Sequence, residues 1–366
     1  MAALLAPFRP PARASRSRLP VQWQYRIPRM LVDKHGRALE DLRISVTDRC
    51  NFRCTYCMPL DQYDWISRDQ ILSYEEIGRL AGVFARLGVR KLRITGGEPL
   101  LRVDLEDLVE MLARVDGIED ICLTTNGSLL ADKAERLKRA GLHRLTLSLD
   151  SLDSATFARM AQRGDLAAVL AGLSAAIETG LTPVKLNAVI ERGVNDHEVL
   201  DLVDYARSRG LDLRFIEYMD VGNVNQWTSD KLVSKAEILE RVGKQYPFEP
   251  LSGPRGSAPS ERYRFLDGGG VFGVIASVTE PFCGACTRAR LTADGRLVTC
   301  LFSAAGHDLK SLLRSGCSDE ELSTTVRAIW SRRTDRYSEE RLAAISSDQG
   351  YRPEAVRKLE MISLGG

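Results

Sequence analysis

Short runs rich in leucine and β-branched residues recur between Leu42 and Met219, and most are followed by a turn and a stretch with helical character. The β-like runs cover residues 42–46, 91–95, 121–125, 144–149, 184–190 and 211–216. The helical stretches cover residues 74–87, 104–115, 131–140, 165–179 and 197–209. Several helices should begin at a capping residue, such as Ser73 or Asp196, and several should end at a glycine, such as Gly88.

Strands that alternate with helices are typical of parallel βαβ units. Six such strands favour an incomplete six-unit (β/α) barrel of TIM type over a full eight-unit barrel, so the predicted fold class is α/β. Ligands of such barrels bind at the carboxyl ends of the strands. Most polar motifs of this chain lie at or just after such an end. We therefore expect these motifs to form one site.

The regular alternation ends after Met219. Residues 251–261 have the composition of a flexible connector. Beyond it, the pattern predicts β-like runs at 262–266, 271–278 and 296–301 and helices at 307–315, 318–332 and 338–345. The chain is accordingly divided into a basic tail (1–32), a partial barrel (33–224) and a smaller C-terminal α+β module (225–366) that closes the barrel mouth.

Composition excludes several classes of protein. The 366 residues are 44% hydrophobic and carry a net charge of +2, which suits a globular chain with a sizeable core. Such a small charge gives no generally basic surface for nucleic acid. The apolar runs are shorter than the roughly 18 residues that a membrane span needs. We expect neither nucleic acid nor a membrane as a partner.

Residues 1–32 contain six arginines and no Asp or Glu. This composition is typical of an organelle transit peptide, but a plain basic and disordered tail fits equally well. Pro10 and Pro11 disfavour a long amphipathic helix there. The first interpretation predicts a mitochondrial protein and the second a cytoplasmic one, and the cytoplasm is our expectation.

Three cysteines follow the first predicted strand with the spacing C-x3-C-x2-C, at Cys50, Cys54 and Cys57. Three thiolates can bind three irons of a [4Fe–4S] cluster and leave the fourth iron open. The amino and carboxylate groups of S-adenosylmethionine can occupy that iron, and one electron then cleaves a carbon–sulfur bond to release a 5′-deoxyadenosyl radical. Zinc normally needs four ligands, and the nearest histidine, His35, precedes the strand.

The turn from Gly96 to Pro99 follows the second strand and supports this interpretation. Its two glycines allow the backbone to approach a ligand closely, and the methionine moiety of S-adenosylmethionine is the expected ligand. Alone, such a turn predicts little. Its position one βα unit after the first cysteine triad makes it specific.

A second triad, Cys283, Cys286 and Cys300, has the spacing C-x2-C-x13-C. With Cys317 or His307 as a fourth ligand, it fits structural zinc as well as it fits a second cluster. Two arginines follow it directly, in the segment 287–290. Guanidinium groups suit phosphates, which favours a second open cluster that faces an anionic substrate. The remaining cysteine, Cys122, is expected in the core, and Cys317 is expected at the surface or in packing.

With these motifs the chain resembles the GTP 3′,8-cyclase family, the MoaA-type radical S-adenosylmethionine enzymes that begin molybdenum cofactor biosynthesis. The resemblance covers about residues 40–366. It rests on both triads and on the segments Leu42–Arg49, Arg93–Pro99, Thr124–Gly127, Ser148–Asp153, Arg214–Met219 and Gly365–Gly366. It implies two [4Fe–4S] clusters and S-adenosylmethionine as cofactors and GTP as substrate. The radical would abstract hydrogen from ribose C3′, and C3′ would then attack C8 of the guanine.

The resemblance also implies roles for individual residues. Those expected to contact S-adenosylmethionine are Tyr56, Gly97, Ser148 and Met219. Those expected to contact GTP are Arg43, Arg93, Thr124, Lys185, Arg288, Ala289 and Arg290. Those expected to take part in catalysis are Arg43, Arg288, Arg290, Gly365 and Gly366. The chain departs from the family pattern at Thr287 and Ala289, where Asn and Leu are usual.

Two alternatives remain open from the sequence. One is a radical maturase, or another radical enzyme with an auxiliary cluster; the other is a binding protein with a zinc ribbon on an inert barrel. The resemblance further implies an electron donor that the sequence does not identify, a pterin-forming enzyme that takes the product, and a homodimer.

Overall fold

The structure is a computed structural model that describes residues 30–58, 63–251, 256–347, 351–353 and 357–365. Most of the predicted basic tail and part of the predicted connector, at 252–255, therefore lie outside the described residues, as does Gly366. No helix within the described residues is long and apolar enough to cross a membrane.

One sheet of twelve strands organises the described residues. Its strands are β1 (Asp41–Ser45), β2 (Lys91–Thr95), β3 (Asp120–Thr125), β4 (Arg144–Ser148), β5 (Val184–Ile190), β6 (Asp212–Glu217), β7 (Phe248–Pro250), β8 (Glu261–Phe265), β9 (Val271–Ile275), β10 (Arg288–Leu291), β11 (Arg296–Val298) and β12 (His307–Asp308). Their order is β12-β11-β10-β1-β2-β3-β4-β5-β6-β9-β8-β7. Strands β1 to β6 pair in parallel in chain order, which confirms the six predicted units.

The C-terminal segment extends this sheet at both edges. Strand β10 pairs in parallel with β1, and β9 pairs in parallel with β6. The remaining strands continue antiparallel from β9 and β10. Strand β10 was not predicted from the sequence, because it has only four residues and two of them are arginines.

The helices are α1 (Tyr74–Arg86), α2 (Leu105–Ala113), α3 (Ala134–Arg139), α4 (Ser154–Ala161), α5 (Leu166–Glu178), α6 (Val199–Ser208), α7 (Lys235–Gln245), α8 (Lys310–Arg314), α9 (Asp319–Ser331), α10 (Tyr337–Ile345) and α11 (Met361–Leu364). Ser73 caps α1 in a capping box with Glu76, as predicted. The capping prediction for Asp196 is wrong. Its carboxylate accepts from Gly193 N and pairs with Arg241, and α6 begins only at Val199.

Alternation along the strands separates an apolar layer from a polar interior. Leu42 and Ile44 of β1 are fully buried and belong to the main hydrophobic cluster together with residues of the surrounding helices. Arg43, between them, lies on the opposite face and lines a cavity inside the barrel. The same alternation recurs in β2 to β6. It explains how arginine and lysine occur within strands that otherwise supply the core.

Candidate active site

The first cysteine triad occupies the loop after β1. Cys57 N and Met58 N both donate to Cys54 O, at 2.9 and 2.8 Å, which closes a tight turn around the triad. Arg53 N donates to the carbonyl of Ala161, at the end of α4, and anchors the loop to the barrel wall. Three thiols thus lie on one short, fixed segment at the carboxyl end of a central strand.

The thiols of this loop are partly buried. Burial raises the pKa of Cys50 to about 11, and it raises the pKa values of Cys54 and Cys57 well above their ordinary value. Without metal the triad is therefore protonated at neutral pH, and metal binding must displace the protons. Phe52 N also points at Cys50 Sγ, 3.4 Å away. This buried three-thiol set fits a cluster that takes three protein ligands.

Glu98 joins the turn after β2 to the turn after β3. Its buried carboxylate accepts hydrogen bonds from Leu100 N at 3.0 Å, Thr125 Oγ1 at 2.7 Å and Asn126 N at 2.8 Å. Burial raises its pKa to about 7 despite these bonds. Asn126 in turn donates to Asn51 Oδ1 at 2.9 Å, within the cysteine loop. Three adjacent strand ends are thereby held as one unit.

Gly97 has a packing reason to be glycine. A Cβ placed on it would lie 2.3 Å from Arg49 O and 2.7 Å from Asp48 O. The turn after β2 therefore rests directly on the first cysteine loop. The expected contact of Gly97 with a ligand stays a prediction. The close backbone approach that the sequence indicated is made, in the structure, to the carbonyl groups of Asp48 and Arg49.

The other residues predicted to contact S-adenosylmethionine surround the same strand ends. Tyr56 and Met219 pack into one small apolar cluster, and Ser148 is the last residue of β4. Tyr56 OH donates to Asp150 Oδ2 at 2.7 Å. Asp150 is itself buried, and burial raises its pKa to about 6.

The second triad lines a separate small cavity of ≈ 80 Å³. Cys283 and Cys286 come from the turn before β10, and Cys300 follows β11. Neither Cys317 nor His307, the two candidate fourth ligands, belongs to the lining of this cavity. Within the described ranges, no three His, Cys, Asp or Glu side chains form a site for a single metal ion.

Guanidinium groups surround the second triad. Arg288 Nη2 lies 3.3 Å from Cys286 Sγ, and Arg333 Nη2 lies 3.4 Å from it. Burial opposes ionisation of this thiol, but the two cations outweigh burial and lower the pKa of Cys286 to about 6. Arg37 Nη2 also lines the cavity, buried and without a hydrogen-bond partner among the described residues. Three thiols and such unsatisfied donors fit an anionic iron–sulfur cluster better than they fit neutral packing.

A basic cavity of ≈ 360 Å³ lies against the amino ends of strands β1 to β5. Its charged lining consists of Asp41, Arg43, Lys91, Arg93, Asp120, Arg144, Lys185, Arg214 and Arg288. The structure therefore brings together five residues predicted to contact GTP, namely Arg43, Arg93, Thr124, Lys185 and Arg288. Arg288 lines this cavity and the cavity of the second triad as well, so the two are adjacent.

Strand register explains why these cations converge. Arg43 is level with Arg290 on one side and with Arg93 on the other. Desolvation and these neighbouring arginines lower the pKa of Arg43 well below its ordinary value. Desolvation, followed by Arg214 and Arg144, lowers the pKa of Lys185 to about 8. So many like charges in one enclosed space favour a polyanionic ligand.

Three lining residues, Lys91, Arg144 and Arg214, were missed from the sequence. Arg144 Nε donates to Asp120 Oδ1 at 2.9 Å, and Arg214 lies 3.6 Å from Asp212. From the sequence alone, each was indistinguishable from an ordinary surface ion pair. The alternation of apolar and polar positions along the strands could have identified these three cations, because each of them lies on the inward face of its strand.

The C-terminal tail reaches into the barrel. Arg290 Nη1 donates to Gly365 O at 2.6 Å and to Leu364 O at 3.2 Å. Gly365 has a φ of +70°, and a Cβ on it would lie 2.3 Å from Thr95 Cγ2 at the end of β2. The end of the tail thus lies between the second triad and the turn at Gly96–Gly97. Gly366 itself lies outside the described residues.

Ala289 was expected to contact GTP as part of the Arg288–Arg290 segment. Its side chain is fully buried in the hydrophobic cluster and is level with Leu42. Its contact with GTP stays a prediction. Thr287 is buried as well and donates to Asp41 Oδ2 at 3.1 Å.

A partial barrel whose first βα loop carries three closely spaced thiols defines the class of radical S-adenosylmethionine enzymes, and comparisons with known proteins agree. The radical SAM superfamily model matches residues 44–206. The Molybdenum Cofactor Synthesis C model matches residues 211–339. Membership of this class implies a [4Fe–4S] cluster and S-adenosylmethionine as cofactors.

Relatives of known function define the family more narrowly. The GTP 3′,8-cyclase of Acidothermus cellulolyticus is 50% identical over 91% of this chain and 98% of its own length. That of Xanthomonas axonopodis pv. citri is 46% identical over 91% of this chain and 98% of its own. The chain belongs to the GTP 3′,8-cyclase family.

A solved structure confirms the fold. Streptococcus suis SuiB bound to S-adenosylmethionine has a TM-score of 0.58 at 16% identity, covering 91% of this chain and 78% of SuiB. The likeness supports the partial TIM-like barrel with a C-terminal module. At 16% identity this likeness gives no information about the substrate.

Proposed function

We propose that this chain converts GTP to (8S)-3′,8-cyclo-7,8-dihydroguanosine 5′-triphosphate, the first step of molybdenum cofactor biosynthesis. The curated cyclases supply the name of the reaction. The observation that carries the proposal is the basic cavity inside the barrel, which continues through Arg288 to the second triad. A triphosphate carries several negative charges, and a cavity lined by several cations suits it.

Each of the two triads would hold one [4Fe–4S] cluster, the first on Cys50, Cys54 and Cys57 and the second on Cys283, Cys286 and Cys300. When bound, the first cluster and S-adenosylmethionine would supply a radical that takes hydrogen from ribose C3′. C3′ would then add to C8 across the C8–N7 double bond of the guanine, and one electron from the external donor and one proton would complete the dihydro product at N7. The second cluster would hold the guanine at its open iron. The lining that Arg288 shares between the basic cavity and the cavity of the second triad supports this division of roles.

The chain's own side chains would orient GTP between these two centres. Arg43 and Lys185 would hold the triphosphate in the cavity, and Arg93 is already aligned by donating to Thr124 Oγ1 at 3.3 Å and Thr146 Oγ1 at 3.1 Å. Arg290 donates to Gly365 O of the tail at 2.6 Å, so it would meet the bound nucleotide from a fixed position. Preorganised positive charge of this kind is the main contribution that the protein makes to positioning.

The test uses the anaerobically reconstituted full chain with S-adenosylmethionine, a reductant and GTP. We expect 5′-deoxyadenosine to form much faster with GTP than without it, together with the cyclised nucleotide and an iron content of about eight per chain. Equal rates with and without GTP would contradict the substrate. An iron content of about four would remove the second cluster.

A matched cysteine pair separates the two centres. Cys300→Ala should retain cleavage of S-adenosylmethionine but lose the cyclised product, because only the second triad is broken. Cys317→Ala should retain both, since Cys317 lies outside the triad cavity. Loss of both activities in Cys300→Ala, with its first cluster still loaded, would argue against separate roles.

We further propose a cytoplasmic location and delivery of the product to a pterin-forming enzyme of the same pathway. The location rests on treating residues 1–32 as a retained basic tail. The intact mass of the protein isolated from its natural host tests this, because removal of the tail would instead support a transit peptide.

A further inference from the structure

A guanidinium outside the proposed GTP site contacts the Cys286 thiol. Arg333 Nη2 lies 3.4 Å from Cys286 Sγ, and Arg333 Nη1 donates to Cys286 O at 2.8 Å. Arg288 also contacts this sulfur but lines the basic cavity, whereas Arg333 lines only the cavity of the second triad. Arg333 therefore has no part in holding the triphosphate.

Arg333 is fixed in this position from several sides. Its Nη1 lies 3.3 Å from Asp33 Oδ2, in a pair whose side chains are 2% and 0% exposed. Its Nε donates to Asp335 Oδ2 at 3.2 Å, and its guanidinium carbon lies 4.6 Å from the centre of the Trp330 ring. Trp330 Nε1 in turn donates to Arg37 O at 3.1 Å. A long side chain held this firmly has little freedom to turn away from the sulfur.

The segment around Asp33 reinforces the arrangement. Asp33 also pairs with Arg37 Nε at 2.5 Å, and Arg37 Nη1 donates to Cys283 O at 2.8 Å. One buried carboxylate thus orients two guanidiniums, each of which contacts a different cysteine residue of the second triad. Structural zinc would not need cations here, since they repel the metal and weaken thiolate binding.

Hydrogen bonds and positive charge near the sulfurs of an iron–sulfur cluster stabilise its more negative, reduced form. Burial strengthens that effect because the local dielectric constant is low. We propose that Arg333, oriented by Asp33, sets the reduction potential of the second cluster through its bond to Cys286. Arg333 is thus a positioning and tuning residue, and the inference rests on the second cluster of the proposed function.

The experiment is a potentiometric titration of the reconstituted full chain, followed by electron paramagnetic resonance. The reduction wave that is absent from the titration of Cys300→Ala is assigned to the second cluster. In Arg333→Gln we expect the equilibrium constant for one-electron reduction of that cluster to fall about tenfold, which is 59 mV. The wave of the first cluster should not move.

Two further variants make the test specific. Arg333→Lys keeps the charge but loses the forked geometry, so its potential should lie between those of the wild type and Arg333→Gln. If Arg333→Gln does not fold, the potential of Arg333→Lys still tests the role of Arg333. Arg332→Gln removes the same charge from the adjacent, exposed residue and should leave both waves unchanged.

The outcomes separate the inference from the function on which it rests. An iron content of about eight with an unshifted second wave in both Arg333 variants would overturn the tuning role. An iron content of about four in the unsubstituted chain would overturn the second cluster itself. A shift of both waves together in Arg333→Gln would indicate a general structural change and would also overturn the specific role of Arg333.

Discussion

Lys185 shows how the barrel changes the chemistry of a single residue. It lies on the inward face of β5, level with Thr146 of β4 and Asp212 of β6. Desolvation and the nearby charges of Arg214 and Arg144 lower its pKa to about 8 from the ordinary value of 10.5. An arriving triphosphate offsets the repulsion from these arginines, because it brings negative charge to the ammonium group.

GTP binding should therefore take up a proton above pH 8. Phosphate raises the pKa of Lys185 in the complex, so affinity should fall as the pH rises from about 8 toward 10.5 and should not depend on this group below that range. Titration calorimetry at pH 8.5 in buffers of different ionisation enthalpy measures the uptake. Lys185→Arg, which stays protonated throughout, is the control, and the same proton uptake in that variant would exclude Lys185 as the source.

At the scale of the element, the last helix depends on one buried carboxylate. Asp220, just after β6, accepts from Lys358 Nζ at 2.6 Å and from Tyr337 OH at 2.6 Å, and it also pairs with Arg341. Lys358 Nζ donates to Asp220 O at 2.7 Å as well. These bonds fix the start of the segment that carries α11 and ends at Gly365. They therefore determine how far the tail enters the barrel.

Lys358→Met should loosen the tail without unfolding the barrel. Asp220 keeps Arg341 as a partner, so the loss should be roughly 1–3 kcal/mol and confined to the tail. Hydrogen exchange of the amides of residues 359–365 should then accelerate about 10- to 100-fold, while the amides of β2 to β5 should not change. Lys244→Met breaks an exposed pair with Glu240 and should alter neither set. Uniform acceleration throughout the chain would show that Lys358 supports the whole fold.

At the scale of the molecule, the predicted boundary at residue 224 divides a continuous sheet. Strands β10 to β12 extend the edge at β1, and β9 to β7 extend the edge at β6. The C-terminal segment therefore contributes two separate groups of strands that do not adjoin each other. Removing it would expose both edges of the parallel sheet and part of its hydrophobic cluster.

A fragment of residues 33–224 should consequently fail to form a soluble monomer. Two unpaired edges next to apolar surface favour aggregation. Size-exclusion chromatography and circular dichroism of this fragment, beside the full chain, check the expectation. A monomeric fragment with a cooperative thermal transition would show that the barrel folds independently.

The features that could be predicted from the sequence are those that depend on residue type and spacing. Both cysteine triads and the six βα units could be recognised because each is encoded in a short segment. The trio Asp33, Arg37 and Arg333 could not, since it joins residues nearly three hundred positions apart, as the Arg37–Asp335 bond also does. Arg144 and Arg214 were missed for a related reason, because only the register between neighbouring strands shows that they face the same space.

The charged interior has a consequence for the enzyme without its substrate. Seven cationic side chains and two carboxylates line one cavity, so the empty barrel contains a strong internal repulsion that folding must overcome. A bound polyanion relieves that repulsion, and through this linkage it stabilises the folded state by an amount that grows with the logarithm of its concentration relative to its Kd. The nucleotide therefore stabilises the folded barrel as well as reacting in it. The lifetime of the folded enzyme should accordingly depend on the concentration of its own substrate.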